Sequence, residues 1–423
     1  MCETINAEVS IGTINSFSDA IGYLEWTYYA RRVKLNPSYY GAKSSDEADQ
    51  IEFFASVINE TTKKLQEQGC VEIFKTDGTE CFIATTPLGQ AASNFYLNYQ
   101  TPKQMLMGIR SLRKVLAQHI QFENHGDTLL QSEVCIDAAA MKSPQNIYRF
   151  TAGHAKYTFA FAQILYELSA THEFDELPVR HNEEELNLEL SRSIPWGHDL
   201  GKVSWWTDKP SRPGKNILDI MSSPHTKCFL LLQAHIFKSK LPISDYINDM
   251  RSVVEQIPRL LAAMQFIAED ERTSAGGFDM FSCYPLVRRV FSTGIMIGTE
   301  FSSSINTPSV KVININIEKR SGIVSNRCLH FDYVIEQNGF RTNNQDKSSG
   351  LGVSFILGTR EGGYLLNHST ATVVMKESWK KSIRMDFDLI TAETHAGQHP
   401  RSVVLRIIHE FVSDLDFEIV ILI

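Results

Sequence analysis

The sequence predicts an α+β multi-domain protein made of a winged helix, a helical bundle and a C-terminal immunoglobulin-like β-sandwich. Three observations carry that prediction. Apolar residues keep a helical period through most of the chain up to Thr299, two short strand-like runs flank Asp77-Gly78 early on, and after Pro308 the period switches to alternation. With 423 residues, 43% of them hydrophobic, the chain is long enough to bury several cores.

From Ser18 to Tyr40 and from Asp46 to Gln68 the apolar spacing is helical. Cys70 to Ala84 reads as a hairpin, because an Asp-Gly pair supplies the positive-φ turn that joins two strands tightly. Helices followed by a hairpin give a winged helix over 1–99, closed by a helix from Gln90 to Tyr99 that Thr86-Pro87-Leu88-Gly89 opens. A helical bundle follows over 100–300, interrupted by a Trp, Gly, Ser and Pro-rich loop at Trp196 to Pro213. Beyond the polar linker Ser302 to Pro308, Ile313, Ile315 and Ile317 alternate with Asn314, Asn316 and Glu318, and Leu329, Phe331, Tyr333 and Ile335 repeat the pattern. Further runs at 353–357, 371–375, 385–389, 403–409 and 417–423 bring the number of short strands over 309–423 to seven, which suits an immunoglobulin-like sandwich.

Composition narrows the function. A net charge of −8 argues against a protein that coats nucleic acid nonspecifically, so any strand contact is local. The seven cysteines are scattered and contain no CxxC pair, which argues for reduced, mostly buried thiols rather than a disulfide framework or a zinc knuckle. The start, MCETINAEVSIG, lacks a basic, apolar leader, and no run of about 18 apolar residues is present, so a nuclear or cytoplasmic chain that is not secreted and has no membrane partner is expected.

Enzyme chemistry finds little support in the residues. His181, His198-Asp199, His225, His395 and His399 are too scattered to suggest a metal site. Gly197 to Val203 is one residue short of a phosphate-binding loop and has no Ser or Thr after Lys202. G-x-S-x-G is missing as well. A non-enzymatic chain with no cofactor is expected.

The motifs Asn6-Ala7-Glu8, Gly12-Thr13-Ile14, Tyr23-Leu24-Glu25-Trp26-Thr27-Tyr28, Arg31-Arg32, Asn36-Pro37-Ser38-Tyr39-Tyr40-Gly41, Leu177-Pro178-Val179-Arg180-His181-Asn182-Glu183, Ser223-Pro224-His225-Thr226-Lys227 and Leu230-Leu231-Leu232-Gln233-Ala234-His235 stand in a telling order. That order resembles the C-terminal half of a cassette in the Ski-two-like DExH-box helicases: winged helix, helical domain shared with the Sec translocation factor, then immunoglobulin-like domain. The motif forms, with Leu241 to Tyr246 (LPISDY), look closer to the cointegrator-complex branch than to the spliceosomal branch of that family.

The resemblance implies an accessory region of an ATP-dependent helicase. ATP and magnesium belong to a motor, and the partners are single-stranded RNA or DNA and the helicase motor domains or helicase-complex subunits. It also implies a ratchet helix after LPISDY that lies across the strand channel. There Val253, Ile257, Leu260, Met264 and Ile267 form an apolar seam, while Ser252, Glu255, Gln256 and Arg259 line the other side. Arg259 falls where the family pattern has a strand-contacting arginine, with Gln256 and Ser252 beside it. Against this stand Glu255, placed to ion-pair with Arg259, and Pro258, placed to kink the helix.

Arg31, Arg32 and Lys34, interleaved with Trp26, Tyr28, Tyr29, Tyr39 and Tyr40, form a second candidate contact; the competing reading makes the aromatics core and the cations a solvated face. His181, Glu183 and Glu184 after Arg180 read as a helix start. The chain departs from the family in three ways: it opens inside the winged helix without a motor, its 102–172 segment is expanded, and Thr299 to Val310 leaves almost no room for a helix-hairpin-helix unit. Two other functions stay open: a protein-interaction scaffold that touches no nucleic acid, and a relative of the Sec translocation factor of the endoplasmic reticulum.

Overall fold

The structure is a computed structural model that describes residues 1–75, 81–123, 146–149, 155–196, 217–270, 275–293, 309–319, 326–336, 351–359, 363–373, 378–389, 400, 402–410 and 416–422. The chain falls into two compact units. The first comprises Met1–Met107, Ala170–Leu177 and Arg259–Asp270; the second comprises Gly108–Ser169, Pro178–Pro258 and Glu271–Ile423.

The first unit begins with helices Cys2–Ser10, Phe17–Glu25, Tyr28–Leu35, Pro37–Tyr40 and Glu47–Glu67, then the hairpin β1 (Val71–Lys75) and β2 (Cys81–Thr85), with Ile73 opposite Ile83. The Asp77-Gly78 turn lies outside the described residues. The span predicted as one helix from Ser18 to Tyr40 is three. Thr27 caps the second of them by accepting from Ala30 N, and Pro37, which fits only the first turn of a helix, starts the third. Ser16 and Asp19 close a reciprocal capping box at the start of Phe17–Glu25. Ile5, Val9, Leu24, Val33, Phe54, Ile58, Leu65 and Ile83 are the centre of this unit's core. Helix Pro87–Asn94 ends earlier than the helix to Tyr99 that the sequence suggests.

In the second unit two antiparallel sheets enclose one core. β4 (Ser309–Lys319), β5 (Asn326–Glu336) and β8 (Ser378–Asp388) form a three-stranded sheet in that order. The other sheet has the order β3-β10-β9-β6-β7, with β3 at Asn146–Arg149, β6 at Leu351–Gly358, β7 at Leu365–Val373, β9 at Ser402–His409 and β10 at Phe417–Leu422. The seven strands expected after Pro308 are all present. The eighth, β3, comes from the expanded 102–172 segment, where sequence periodicity gave no sign of it.

Leu329, Phe331, Tyr333 and Ile335 of β5 meet Val353, Phe355 and Leu357 of β6 in the shared core. The alternation expected for β4 is corrected by a bulge between Ile313 and Asn316. Val310 and Val312 face the core before it and Ile315 and Ile317 after it, because an inserted residue shifts the two-residue period by one. Asn314 takes the left-handed conformation there (φ 56°) and its side-chain amide donates to Asp332 Oδ2 at 2.7 Å.

β9 reads SVVLRIIH and is buried from Val403 to His409, so both faces are covered. One faces the shared core and the other meets helix Gly277–Thr293, whose Phe278 ring lies under the Arg406 guanidinium at 4.2 Å. The same ring fixes Gly358 at the end of β6. A Cβ there would stand 2.3 Å from Phe278 Cδ2 and 2.7 Å from the Tyr364 carbonyl oxygen. Gly358→Ala is therefore expected to destabilise the chain by about 1–3 kcal/mol, read as a lower urea midpoint at unchanged slope.

Candidate nucleic-acid interface

Helix Asp245–Asp270 is continuous over 26 residues and carries Ser252, Gln256 and Arg259 at spacings of four and three, hence on one side. The predicted seam is buried: Val253, Ile257, Leu260, Met264 and Ile267 are each at most 1% exposed. Ser252, Glu255 and Pro258 are exposed, and Gln256 and Arg259 half-buried. The helix runs through Pro258, where a kink was expected, with the proline on the exposed side, away from the packed seam.

Arg259 does something the sequence did not suggest. Its Nη1 donates to the carbonyl oxygens of Tyr96, at 2.8 Å, and Phe95, at 3.3 Å. Those carbonyls follow the C-terminus of helix Pro87–Asn94, where unsatisfied acceptors and the negative end of the helix dipole favour a cation. The helix closes in a Schellman pattern, with Leu97 N donating to Ala92 O at 2.8 Å and Tyr96 N to Ser93 O at 3.3 Å. That pattern puts Tyr96 in the left-handed position, at φ 51°, which glycine normally fills. A side chain with a Cβ pays about 1–2 kcal/mol there. Phe95 packs edge-on against Phe266, with ring centroids 5.8 Å apart, and Leu97 is buried, whereas the Tyr96 side chain is 84% exposed.

Arg31, Arg32 and Lys34 lie on helix Tyr28–Leu35, exposed, and among the described residues none of them is ion-paired. The reading of their aromatic neighbours as core is corrected for three of them: Trp26 is 93% exposed, and Tyr28 and Tyr39 are exposed too. Only Ala30 and Val33 of this helix are buried, so Tyr28, Arg31, Arg32 and Leu35 fall on its outer side. Tyr29 and Tyr40 do pack on the core, edge-to-face at 5.5 Å, and Arg32 reaches the Tyr40 ring at 5.9 Å.

The motifs around Arg180 and Lys227 converge on a buried charge cluster. Lys227, fully buried, donates from Nζ to Glu183 Oε2 at 2.5 Å, to Asp249 Oδ2 at 2.7 Å and to Pro178 O at 2.7 Å. Arg180 Nη1 adds bonds to Glu183 Oε1 at 2.8 Å and Asp249 Oδ2 at 2.7 Å. The Tyr246 ring covers the ammonium at 4.6 Å, and its hydroxyl donates to Asn187 Oδ1 at 2.7 Å. Burial pushes both carboxyls up, but hydrogen bonds from Lys227 and Arg180 outweigh it and hold Glu183 and Asp249 below the ordinary carboxylate range. Glu183 does open a helix, Glu183–Arg192, as expected. Its side chain is committed to Lys227 and Arg180, so this is a device of fold rather than of catalysis.

Other sequence candidates separate. His225 Nδ1 lies 3.0 Å from Ser169 O, and among the described residues no group of three His, Cys, Asp or Glu is placed to hold a metal ion. His198-Asp199, His395, His399 and the segment Gly197 to Val203 lie outside the described residues. Among the described residues no helix is long and apolar enough to cross a membrane. The described cysteines are free; burial pushes the Cys70 thiol up to about 12.

The segment from β3 to β10, which holds the Lys227 cluster and both sheets of the sandwich, matches the profile of the Sec63 Brl domain over residues 149–419, well over half of the chain. The chain belongs to the Sec63 Brl domain family. Residues 1–75 of this family member match a second profile, described as a Winged Helix-turn-helix domain. The chain is 31% identical over 259 residues to the DExH-box ATP-dependent RNA helicase DExH14 of Arabidopsis thaliana, covering 61% of this chain and 9% of that protein. It is 30% identical over 267 residues to the RQC trigger complex helicase SLH1 of Saccharomyces cerevisiae, covering 63% of this chain and 10% of that one. Activating signal cointegrator 1 complex subunit 3 of Homo sapiens is 28% identical over 271 residues, covering 64% and 9%. The match thus spans about a tenth of each relative's length. This Sec63 Brl member corresponds to the C-terminal region of a Ski-two-like helicase.

Proposed function

We propose that this chain is the non-catalytic accessory region of an ATP-dependent nucleic-acid helicase and guides a single strand of RNA or DNA along helix Asp245–Asp270. One observation supports this most: the helix buries a continuous apolar seam and leaves Ser252, Gln256 and Arg259 on its other side. That is the division of labour a strand-guiding helix needs, one side fixed and the other polar and within reach of a backbone or a base. ATP and magnesium serve a motor that the helical and sandwich parts do not supply. In this reading 1–99 is a winged helix, 100–300 a helical bundle and 309–423 an immunoglobulin-like sandwich.

The winged helix docks a helicase motor domain or a helicase-complex subunit through Trp26, Tyr28, Leu35 and Tyr39, with Arg31, Arg32 and Lys34 among them. Exposed aromatics and arginine are the residues that dominate protein interfaces. The same surface favours a second reading, a protein-interaction scaffold without strand contact. The site of action is the nucleus, the cytoplasm or both.

Binding of the whole chain to fluorescein-labelled 12-mers of oligo(U) and oligo(dT), followed by anisotropy, separates the two readings. Strand guiding predicts affinity that falls as salt rises, and roughly ten-fold weaker binding for Arg259→Ala. No strand binding even at about 20 mM salt, together with intact capture of a helicase subunit, would leave only the scaffold.

A further inference from the structure

We propose that Tyr96 is a base-stacking contact for single-stranded nucleic acid and that Arg259 is the positioning residue that holds it out. The proposal rests on the strand-guiding reading and names the ring that meets the base. Tyr96 occupies the left-handed position of a Schellman helix end, a place that glycine fills without strain. Among the described residues its hydroxyl has no hydrogen-bond partner and its ring no aromatic neighbour to reward the tyrosine. Residues held against a local backbone preference concentrate at functional sites.

The surroundings fix the loop and free the ring. Phe95 is pinned on Phe266, Leu97 is buried, and Arg259 binds the carbonyls of Phe95 and Tyr96. All of these belong to the first unit. Between Ser93 and Gln100 only Asn94 and Tyr96 are exposed, so the flanking sequence adds no exposed apolar patch to the ring. A protein partner needs such a patch to dehydrate, whereas a nucleobase needs one accessible π-face. Arg259 holds the carbonyl oxygens of the peptides before and after Tyr96. Because Nη1 is committed to carbonyl oxygens, its main effect is exerted through the tyrosine.

The test uses the 423-residue chain and the same two 12-mers. Tyr96→Ala is expected to weaken binding about ten-fold, and Tyr96→Phe to stay within about two-fold of the original, since stacking needs the ring and not the hydroxyl. Tyr96→Gly is expected to bind as weakly as Tyr96→Ala while its melting temperature equals or exceeds that of the original, because glycine relieves the left-handed strain. Arg259→Ala is expected to weaken binding without changing the slope of log affinity against log salt, and to add little in a double variant with Tyr96→Ala. Original chain that binds with Tyr96→Ala equally tight overturns the Tyr96 assignment alone. A slope lowered by about 0.7 in Arg259→Ala overturns the positioning role, because it means a direct phosphate contact. An original chain that binds neither 12-mer ends both this proposal and the strand-guiding reading.

Discussion

Lys227→Met is expected to lower the unfolding free energy of the chain by about 3–5 kcal/mol at neutral pH, read from urea denaturation. The ammonium satisfies all three of its N–H donors on Glu183, Asp249 and Pro178 O with no solvent exposure. Removing it leaves two buried carboxylates against the single charge of Arg180, and that uncompensated charge, rather than the lost contacts, sets the size of the effect. Truncation of an apolar side chain of similar length would cost less, because its cavity carries no charge. The pH dependence has a definite sign. The folded state holds Glu183 and Asp249 below their ordinary range, so their contribution is complete above their unfolded values near 4 and is lost as pH falls through the lower folded ones. In Lys227→Met the deficit shrinks below about pH 4, where protonation removes the stranded charges. The triple variant Lys227→Met, Glu183→Gln, Asp249→Asn should recover part of the loss; a triple variant no more stable than the single one would mean that packing, not charge, dominates.

Arg406→Leu is expected to cost a similar amount, about 3–5 kcal/mol. Its Nε donates to Glu418 Oε1 at 2.6 Å and its Nη1 to Asp279 Oδ1 at 3.0 Å and Ser282 Oγ at 2.6 Å, all buried. Leucine matches the hydrophobic run of β9 but takes the guanidinium away from the buried carboxylates of Asp279 and Glu418. Nearby, Arg289 Nη1 binds Asp416 Oδ2 at 2.6 Å and His409 O at 3.1 Å, and the Tyr333 hydroxyl bonds to His409 Nε2. The two arginines therefore tie helix Gly277–Thr293 to the back of the sheet. A melting transition that splits in two for Arg406→Leu, with the sandwich signal unchanged, would mean that the helix rather than the sheet depends on this cluster.

The sequence made the periodic parts legible: the apolar seam of helix Asp245–Asp270, the strands that end in Leu329 to Ile335 and Val403 to Ile407, and the hairpin beside Cys70. Each is a short-range pattern, and burial follows from it directly. What escaped depends on distance. Nothing in TKCFLLLQ says that Lys227 meets Arg180 and Asp249, because the chain separation hides the convergence. The aromatic content of 26–40 suggests a core, yet Trp26, Tyr28 and Tyr39 are exposed, and the outward side of Tyr28–Leu35 is fixed by the burial of Ala30 and Val33. Sequence spacing sets Arg259 against Glu255, its helical neighbour, whereas the Tyr96 carbonyl that it binds lies at the end of another helix 163 residues upstream. Tyr96 carried a readable signal, the lack of glycine after a short helix, and that signal has meaning only once the helix end is known.

The pairing of β3 with β10 sets Ile147 opposite Ile419, at opposite ends of the sandwich-bearing region. β10 is thus an interior strand, flanked by β9 and by β3. During synthesis β3 is made well before β10, its partner among the described strands, so that edge waits in the interval, open to any other extended segment. Closing so long a loop is slow, so the step that completes this sheet comes late among its pairings.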